Sequence, residues 1–310
     1  MKYILAAMVG AASALSEIES AFLGYITQFG KSYSTMAEYE HRLAQFAQKH
    51  SFINGHNASE ESYKLGHNKF SDWTQEEYEA ILTYKPEMYK PDNFVQLESQ
   101  PILGAVDYRN GNCLNAVQDQ GQCGSCWAFS ATASMETAYC QAHGSLGKYA
   151  EQELVDCVKL CFGCNGGNAA LAWNYLKTHA EMTEASYPYT ARDGTCQYSS
   201  SNNTGVNATA TNNVTPNDPA AMKTALDTTI MSVAIQANQL SFQLYSSGIF
   251  TNTNCGTQLD HATNVVGWGT SGSMDYWIMR NSWGQSWGEN GYMRLEIVAG
   301  AGLCGIQMQP

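Results

Sequence analysis

All ten cysteines of this 310-residue chain lie between Cys113 and Cys304, and none occurs from Leu15 to Gln100. The chain is therefore two materials: a cysteine-free front segment and a longer part that disulfides can staple if the compartment oxidises. The N-terminus speaks to the compartment. Met1-Lys2 gives a positive start, Ile4 to Ala12 is apolar, and Ala12-Ser13-Ala14 has the A-x-A cleavage pattern. The apolar run is shorter than the ~20 residues of a membrane span, so residues 1–14 read as a signal peptide. A buried N-terminal helix is the plainer alternative. Four N-x-[ST] glycosylation candidates, at Asn57, Asn202, Asn207 and Asn213, agree with a secretory route. The expected destination is a lysosome, a digestive vacuole or the extracellular space, and the cysteines can oxidise on the way.

Sixteen basic against 28 acidic residues give a net charge of −12, which argues against nucleic acid or an anionic membrane as partner. The length permits about two folded units with substantial cores. Glu38, Arg42, Phe46, Ile53 and Asn57 fall on one helical stripe in the front segment. Lys85-Pro86, Lys90-Pro91 and Gln100-Pro101 then punctuate a linker. Cys126 to Ala142 reads as a buried helix, and Asn168 to His179 as another. Strand-like runs follow at Thr204–Thr211, Ile230–Gln236, Asn264–Trp268, Tyr276–Arg280 and Tyr292–Val298.

The sharpest signal is Gln120-Gly121-Gln122-Cys123-Gly124-Ser125-Cys126-Trp127, which contains the C-G-S-C-W signature of a nucleophilic cysteine. A thiol in the first turn of a helix sits at the positive end of the macrodipole, and a nearby histidine would stabilise its thiolate further. Cys123 and Cys126 also fit a C-x-x-C redox pair, but no βαβ pattern surrounds them. Together with Cys161 and Cys164 they fit a four-thiolate zinc site, but the intervening loop is long for one. His261 and the Asn281-Ser282-Trp283-Gly284 run follow 135 and 155 residues after Cys126 (261 − 126 and 281 − 126). In this order and spacing the chain resembles a papain-family cysteine protease, specifically a cathepsin L-like precursor.

That resemblance implies an α+β, two-domain papain-like fold: a helical half, a β-barrel-like half and a cleft between them, preceded by a helical inhibitory propeptide. Its expected limits are propeptide 15–100 and mature peptidase 101–310, with 101–200 mainly helical and 201–310 mainly β. Cys126 would be the nucleophile and His261 the base, oriented by Asn281 and shielded by Trp283. Gln120 would help form the oxyanion hole, and Gly166-Gly167 would pair with extended substrate. Ala169, Ala234, Leu259 and Gln309 would line the pocket for the second residue before the cut, where Gln309 is a polar departure among apolar neighbours. The implied disulfides are Cys123–Cys164, Cys157–Cys196, Cys255–Cys304 and, as in cathepsin B, Cys113–Cys140. Cys161 is left over and competes with Cys157 for Cys196. In the front segment, Glu38, Arg42, Phe46, Ile53 and Asn57 resemble the ERFNIN pattern, with Lys49 in place of its first Asn, and Gly66-x-Asn68-x-Phe70-x-Asp72 matches GxNxFxD.

The expected function is endopeptidase, because Cys196 to His261 carries no insertion of the kind that blocks the cleft in cathepsin B. Protein or peptide substrates and the chain's own propeptide are the expected partners, with no metal, cofactor, nucleic acid or membrane, and a monomer. The alternative is a catalytically inactive papain-like binding or inhibitory protein; retention of Gln120, Cys126, His261 and Asn281 speaks against it. Four of the seven histidines (His41, His50, His56 and His67) lie in the front segment, so acidification is expected to loosen it.

Overall fold

The computed structural model describes residues 16–90, 94 and 104–310. The signal segment, Pro91, Gln100-Pro101 and the expected start of the mature region at residue 101 lie outside them. Helix α1 (Glu17–Phe29) opens on a capping box: the Ser16 side chain accepts from the Glu19 N–H, and the Glu19 carboxylate accepts from that of Ser16. It ends at Gly30 in the left-handed region. Helix α2 (Met36–Asn57) carries the predicted stripe, buries Phe46, Lys49 and Ile53, and encloses a small aromatic core of Phe22, Tyr25 and Phe46 with α1.

The second motif then locks this leader. Asp72 accepts from Tyr25 Oη at 2.7 Å, Lys31 Nζ at 2.8 Å and Tyr33 Oη at 2.9 Å. Arg42 makes a two-pronged bond to Glu77, a geometry that only a guanidinium supplies. Lys49 explains its own departure from the pattern: it reaches the carbonyl of Trp73 at 2.5 Å, while burial pushes its ammonium down to about 8. The leader is not wholly helical. Between α2 and α3 (Gln75–Glu79) lies the short strand β1 (Tyr63–Leu65), which pairs with a strand of the β half.

Beyond the linker come β2 (Val106–Asp107), α4 (Cys126–His143), α5 (Glu151–Cys157) and α6 (Ala169–Leu176). They are followed by α7 (Pro219–Leu226), β3 (Met231–Ile235), α8 (Leu240–Gln243) and β4 (Tyr245–Phe250). Last are β5 (His261–Ser271), β6 (Met274–Arg280) and β7 (Tyr292–Glu296). The strands form an open path, β1-β4-β7-β6-β5-β2, with β3 also on β5; β4 and β7 are parallel and the other pairs antiparallel. The helical half has its own core around Trp127, Leu154, Ala172 and Leu176. The β half shares its core with the leader, for Ile53, Tyr63, Leu65, Phe70, Tyr78 and Ile81 join Phe242, Trp277, Trp283 and Trp287 in one cluster. Burying each such side chain contributes roughly 1.5–3 kcal/mol. Ala133, Ile230, Val266 and Ile278 tie α4 to the sheet.

Two readings need correction. Thr204–Thr211 is not a strand: it makes separate bonds to Glu181 and Leu176 of the helical half, without a ladder. Helix α7 arises where only strands were expected, started by Asp218, whose side chain accepts from the Ala220 and Ala221 N–H groups, with Pro219 at the first turn.

Candidate active site

Cys126 is the first residue of α4, fully buried, so its sulfur lies at the positive end of an 18-residue helix. His261 is the first residue of β5, and the N–H of the next residue, Ala262, is directed at the Cys126 sulfur, as are those of Thr83 and Trp127. His261 Nε2 lies 2.8 Å from Asn281 Oδ1, which also accepts from the Ser282 N–H at 2.8 Å. An oxygen already accepting a backbone proton accepts this one too, so Nε2 carries hydrogen and Nδ1 is the basic nitrogen. Nδ1 is buried without a partner. Trp283 stacks on the imidazole, with centroids 4.7 Å apart and planes 24° apart, and covers the bond to Asn281.

Burial dominates the electrostatics. It pushes the Cys126 thiol up to about 11 against the three N–H groups that favour thiolate. It pushes His261 down to about 4 against its bond to Asn281. Burial thus favours the neutral form of both groups, and water reaching the cleft would favour the charged pair. Asp260, beside the histidine, is raised to about 7, first by burial, although the N–H of Ala237 opposes the shift.

Gln120 is fixed from both ends. Its Oε1 accepts from Ser282 Oγ at 2.7 Å, and its Nε2 donates to the Cys123 carbonyl at 3.0 Å and the leader's Ile81 carbonyl at 3.2 Å. Its backbone carbonyl accepts from Tyr189 Oη at 2.8 Å, and that phenol also meets Ser125 Oγ at 2.6 Å. Ser282 and Tyr189 were not singled out from sequence, because a serine and a tyrosine carry no spacing signal. The Gln120 donor expected to serve an oxyanion thus gives a hydrogen bond to a leader carbonyl, and donors in that role typically contribute ~2.7–4 kcal/mol to transition-state stabilisation.

The leader follows the cleft. Thr83 Oγ1 donates to the Gly124 carbonyl at 2.7 Å, Tyr84 N to the Asp260 carbonyl at 2.9 Å, and Lys85 N to the Gly167 carbonyl at 3.0 Å. Tyr84 and Gly167 form an isolated parallel bridge. Gly166, at φ +118°, leaves the room: a Cβ there would sit 2.1 Å from the Thr83 carbonyl oxygen. Phe70 and Tyr78 meet the Trp283 ring edge-on at 5.1 and 5.6 Å, so the shield over the histidine is also the leader's docking surface.

Of the expected pocket residues, Ala169 begins α6 and belongs to the cluster against which Tyr84 packs. Gln309 Oε1 accepts from Tyr84 Oη at 2.9 Å. Ala234 is buried in β3 opposite Ala262, and Leu259 is half-buried next to Asp260. Disulfides join Cys113 to Cys140, Cys123 to Cys164, Cys157 to Cys196 and Cys255 to Cys304. The Cys123–Cys164 bond removes Cys123 from the redox-pair and zinc readings. Cys126 and Cys161 are free and buried. Among the glycosylation candidates, Asn202 and Asn207 are exposed and Asn213 is half-buried. The Asn57 amide is engaged on both sides, giving to the Leu65 carbonyl at 2.8 Å and accepting from its N–H at 2.9 Å. Among the described residues, no cluster of three or more His, Cys, Asp or Glu is placed to hold a metal ion, and no helix is long and apolar enough to cross a membrane.

Residues 103–310 match the model of the papain family cysteine proteases, and residues 22–78 match that of the cathepsin propeptide inhibitor domain. The probable cysteine protease RD21B of Arabidopsis thaliana is 40% identical over 306 residues, spanning 95% of this chain and 66% of its own. The chain thus spans about two thirds of that relative's length. The digestive cysteine proteinase 1 of Homarus americanus is 38% identical over 279 residues, 86% of each chain. The structure of digestive procathepsin L 3 from Tenebrio molitor larval midgut superposes with a TM-score of 0.86 at 32% identity, covering 95% of this chain and 98% of that one.

Proposed function

The chain belongs to the papain family of cysteine proteases, with a cathepsin-type inhibitor domain ahead of the peptidase, and from that membership we propose that it is a cysteine endopeptidase made as an autoinhibited precursor. The observation that carries the reading is the bond from His261 Nε2 to Asn281, which leaves Nδ1 without a partner, while the N–H of the following residue, Ala262, is directed at the thiol of Cys126 at a helix N-terminus. With the leader gone, water returns to the cleft and the proton of Cys126 passes to His261 Nδ1. The thiolate attacks the substrate carbonyl, and the developing oxyanion accepts the Gln120 Nε2 hydrogen bond that the Ile81 carbonyl accepts in the precursor. His261 gives its proton to the leaving amine, and water then hydrolyses the acyl-enzyme by the reverse path. Release of the leader is assigned to acid pH, and the site of action to an acidic station of the secretory route. An inactive binding protein is disfavoured because Gln120, Cys126, His261 and Asn281 are all present, with His261 bonded to Asn281 and Gln120 bonded to Ser282. The test compares the precursor with Cys126→Ala at pH 5 on a denatured protein. The variant is expected to lose at least ~10⁴-fold of the activity; equal cleavage by both would refute the mechanism.

A further inference from the structure

The leader places one side chain in the pocket assigned above to the second residue before the cut, and the contacts it makes there are polar. Tyr84 Oη donates to Gln309 Oε1 at 2.9 Å and accepts from Asn168 Nδ2 at 3.0 Å. Asn168 is 2% exposed, and its orientation is fixed, because its Oδ1 caps α6 by accepting from the Ala170 N–H at 3.0 Å. Its Nδ2 must therefore face the pocket as a donor, where it also meets the Lys85 carbonyl at 3.2 Å. Gln309 is held at its neighbours: Met308 N donates to the Gly305 carbonyl and the Pro310 carbonyl accepts from Val214 N. The pocket end thus offers one donor and one acceptor about a single point, while Ala169 supplies an apolar wall.

A group that satisfies both at once must give one hydrogen bond and accept another. A hydroxyl does this with one atom; an ammonium or guanidinium can only donate and so opposes the Asn168 donor, whose direction is fixed by the α6 cap. Phenylalanine fills the same volume and leaves both polar atoms short of a partner. Resting on the endopeptidase reading, we propose that Gln309 and Asn168 make this cleft selective for tyrosine over phenylalanine as the second residue before the cut, and that Tyr84 occupies the place of that substrate side chain. Sites built to bind a hydroxyl reject the analogue that lacks it. Two neutral bonds at the end of a half-open pocket correspond to roughly ten- to a hundredfold in kcat/KM.

The test uses the full chain after it has processed itself at acid pH, with three fluorogenic peptides that differ only at the residue in question: tyrosine, phenylalanine and O-methyltyrosine. Tyrosine is expected to exceed phenylalanine by about tenfold or more. O-methyltyrosine, which cannot donate to Gln309, is expected to fall to the phenylalanine level or below. In Gln309→Leu the tyrosine-to-phenylalanine ratio is expected to collapse toward one. Cleavage of all three at equal rates by the wild type, or an unchanged ratio in Gln309→Leu, overturns the selectivity and leaves the protease reading standing. The two methyl- and hydroxyl-dependent comparisons need no variant, so they decide the matter even where Gln309→Leu does not fold. Failure to cut any of the peptides or a denatured protein overturns both readings.

Discussion

Replacing His67 with phenylalanine should remove much of the acid sensitivity of the leader. The imidazole stacks on Phe46, centroids 4.2 Å apart and planes 16° apart, and its Nε2 lies 2.9 Å from Nδ1 of His50. Its own Nδ1 is buried without a partner, and Tyr25 lies across the ring at 6.1 Å. Burial first, and then the charge of His50, push it from 6.5 down to about 4. These partners all belong to the leader, so the folded leader binds fewer protons than the unfolded one between those values. The leader's fold, on which its docking depends, is unaffected above pH 6.5, weakens as pH falls from 6.5 toward 4, and changes no further below that. The full span, 2.5 units at 1.36 kcal/mol each, is about 3.4 kcal/mol. Integrated between pH 7 and pH 5, it comes to at most about 2 kcal/mol once solvent screening of a half-buried ring is allowed for, or up to roughly 20-fold in the population of unfolded leader. His67→Phe keeps the ring against Phe46 and abolishes the titration. The assay is the rate of self-processing at pH 5 divided by that at pH 7, in wild type and variant; the catalytic pair is common to both and cancels. The variant's ratio should be lower by about tenfold or more. Ratios within twofold of each other would mean that His67 is no sensor. The structure narrows the expectation drawn from four leader histidines, since His41 is exposed and His56 binds the Tyr63 carbonyl at 3.1 Å.

Two further outcomes follow from the packing. Phe70 is fully buried against Trp283, so Phe70→Ala should cost the leader about 3–5 kcal/mol of docking; at pH 7 the precursor's Cys126 should then alkylate at least ~10²-fold faster, and an unchanged rate would place the leader's grip elsewhere. Glu181 is fully buried, with Oε1 accepting from Thr132 Oγ1 and Oε2 unpartnered, and burial, then Glu153, raises its carboxyl well above the usual 4.5. Stability should fall as pH climbs above 4.5, so in a Cys126→Ala background Glu181→Gln should melt a few degrees higher than Glu181 at pH 7 and equally at pH 4. A shift of the same size at both pH values would show that ionisation is not involved.

The position of Cys126 was legible because the chemistry proposed for it forces residue types to fixed neighbours: a small Gly124-Ser125 approach, a thiol at the first helical position and Trp127 behind it. His261 and Asn281 were legible only through that motif, since each alone is an ordinary residue at a strand end. What sequence concealed is what depends on distant surfaces. Strand β1 is three residues long, and its register is set by Gly248, Ser247 and Tyr245, some 180 positions away. Thr204–Thr211 has the residues of a strand but meets only scattered backbone groups, at Glu181 and Leu176, that do not continue into a ladder. The leader motif named Phe70 and Asp72 without revealing that the first grips the active-site tryptophan and the second gathers Tyr25, Lys31 and Tyr33. Tyr84, on no motif, proved to reach the pocket end.

The pairing of β1 with β4 has a consequence for what a single cut does. While the chain between the two parts is uncut, β1 and Tyr84 search for their partners within one molecule, at an effective concentration that a covalent link holds far above that of leader free in solution. Once any bond in that stretch is severed, the same contacts obey ordinary mass action. Inhibition then depends on how much leader is dissolved per unit volume: a crowded vesicle would keep the freed leader seated on the enzyme, and dilution would strip it away, baring the backbone edge of β4.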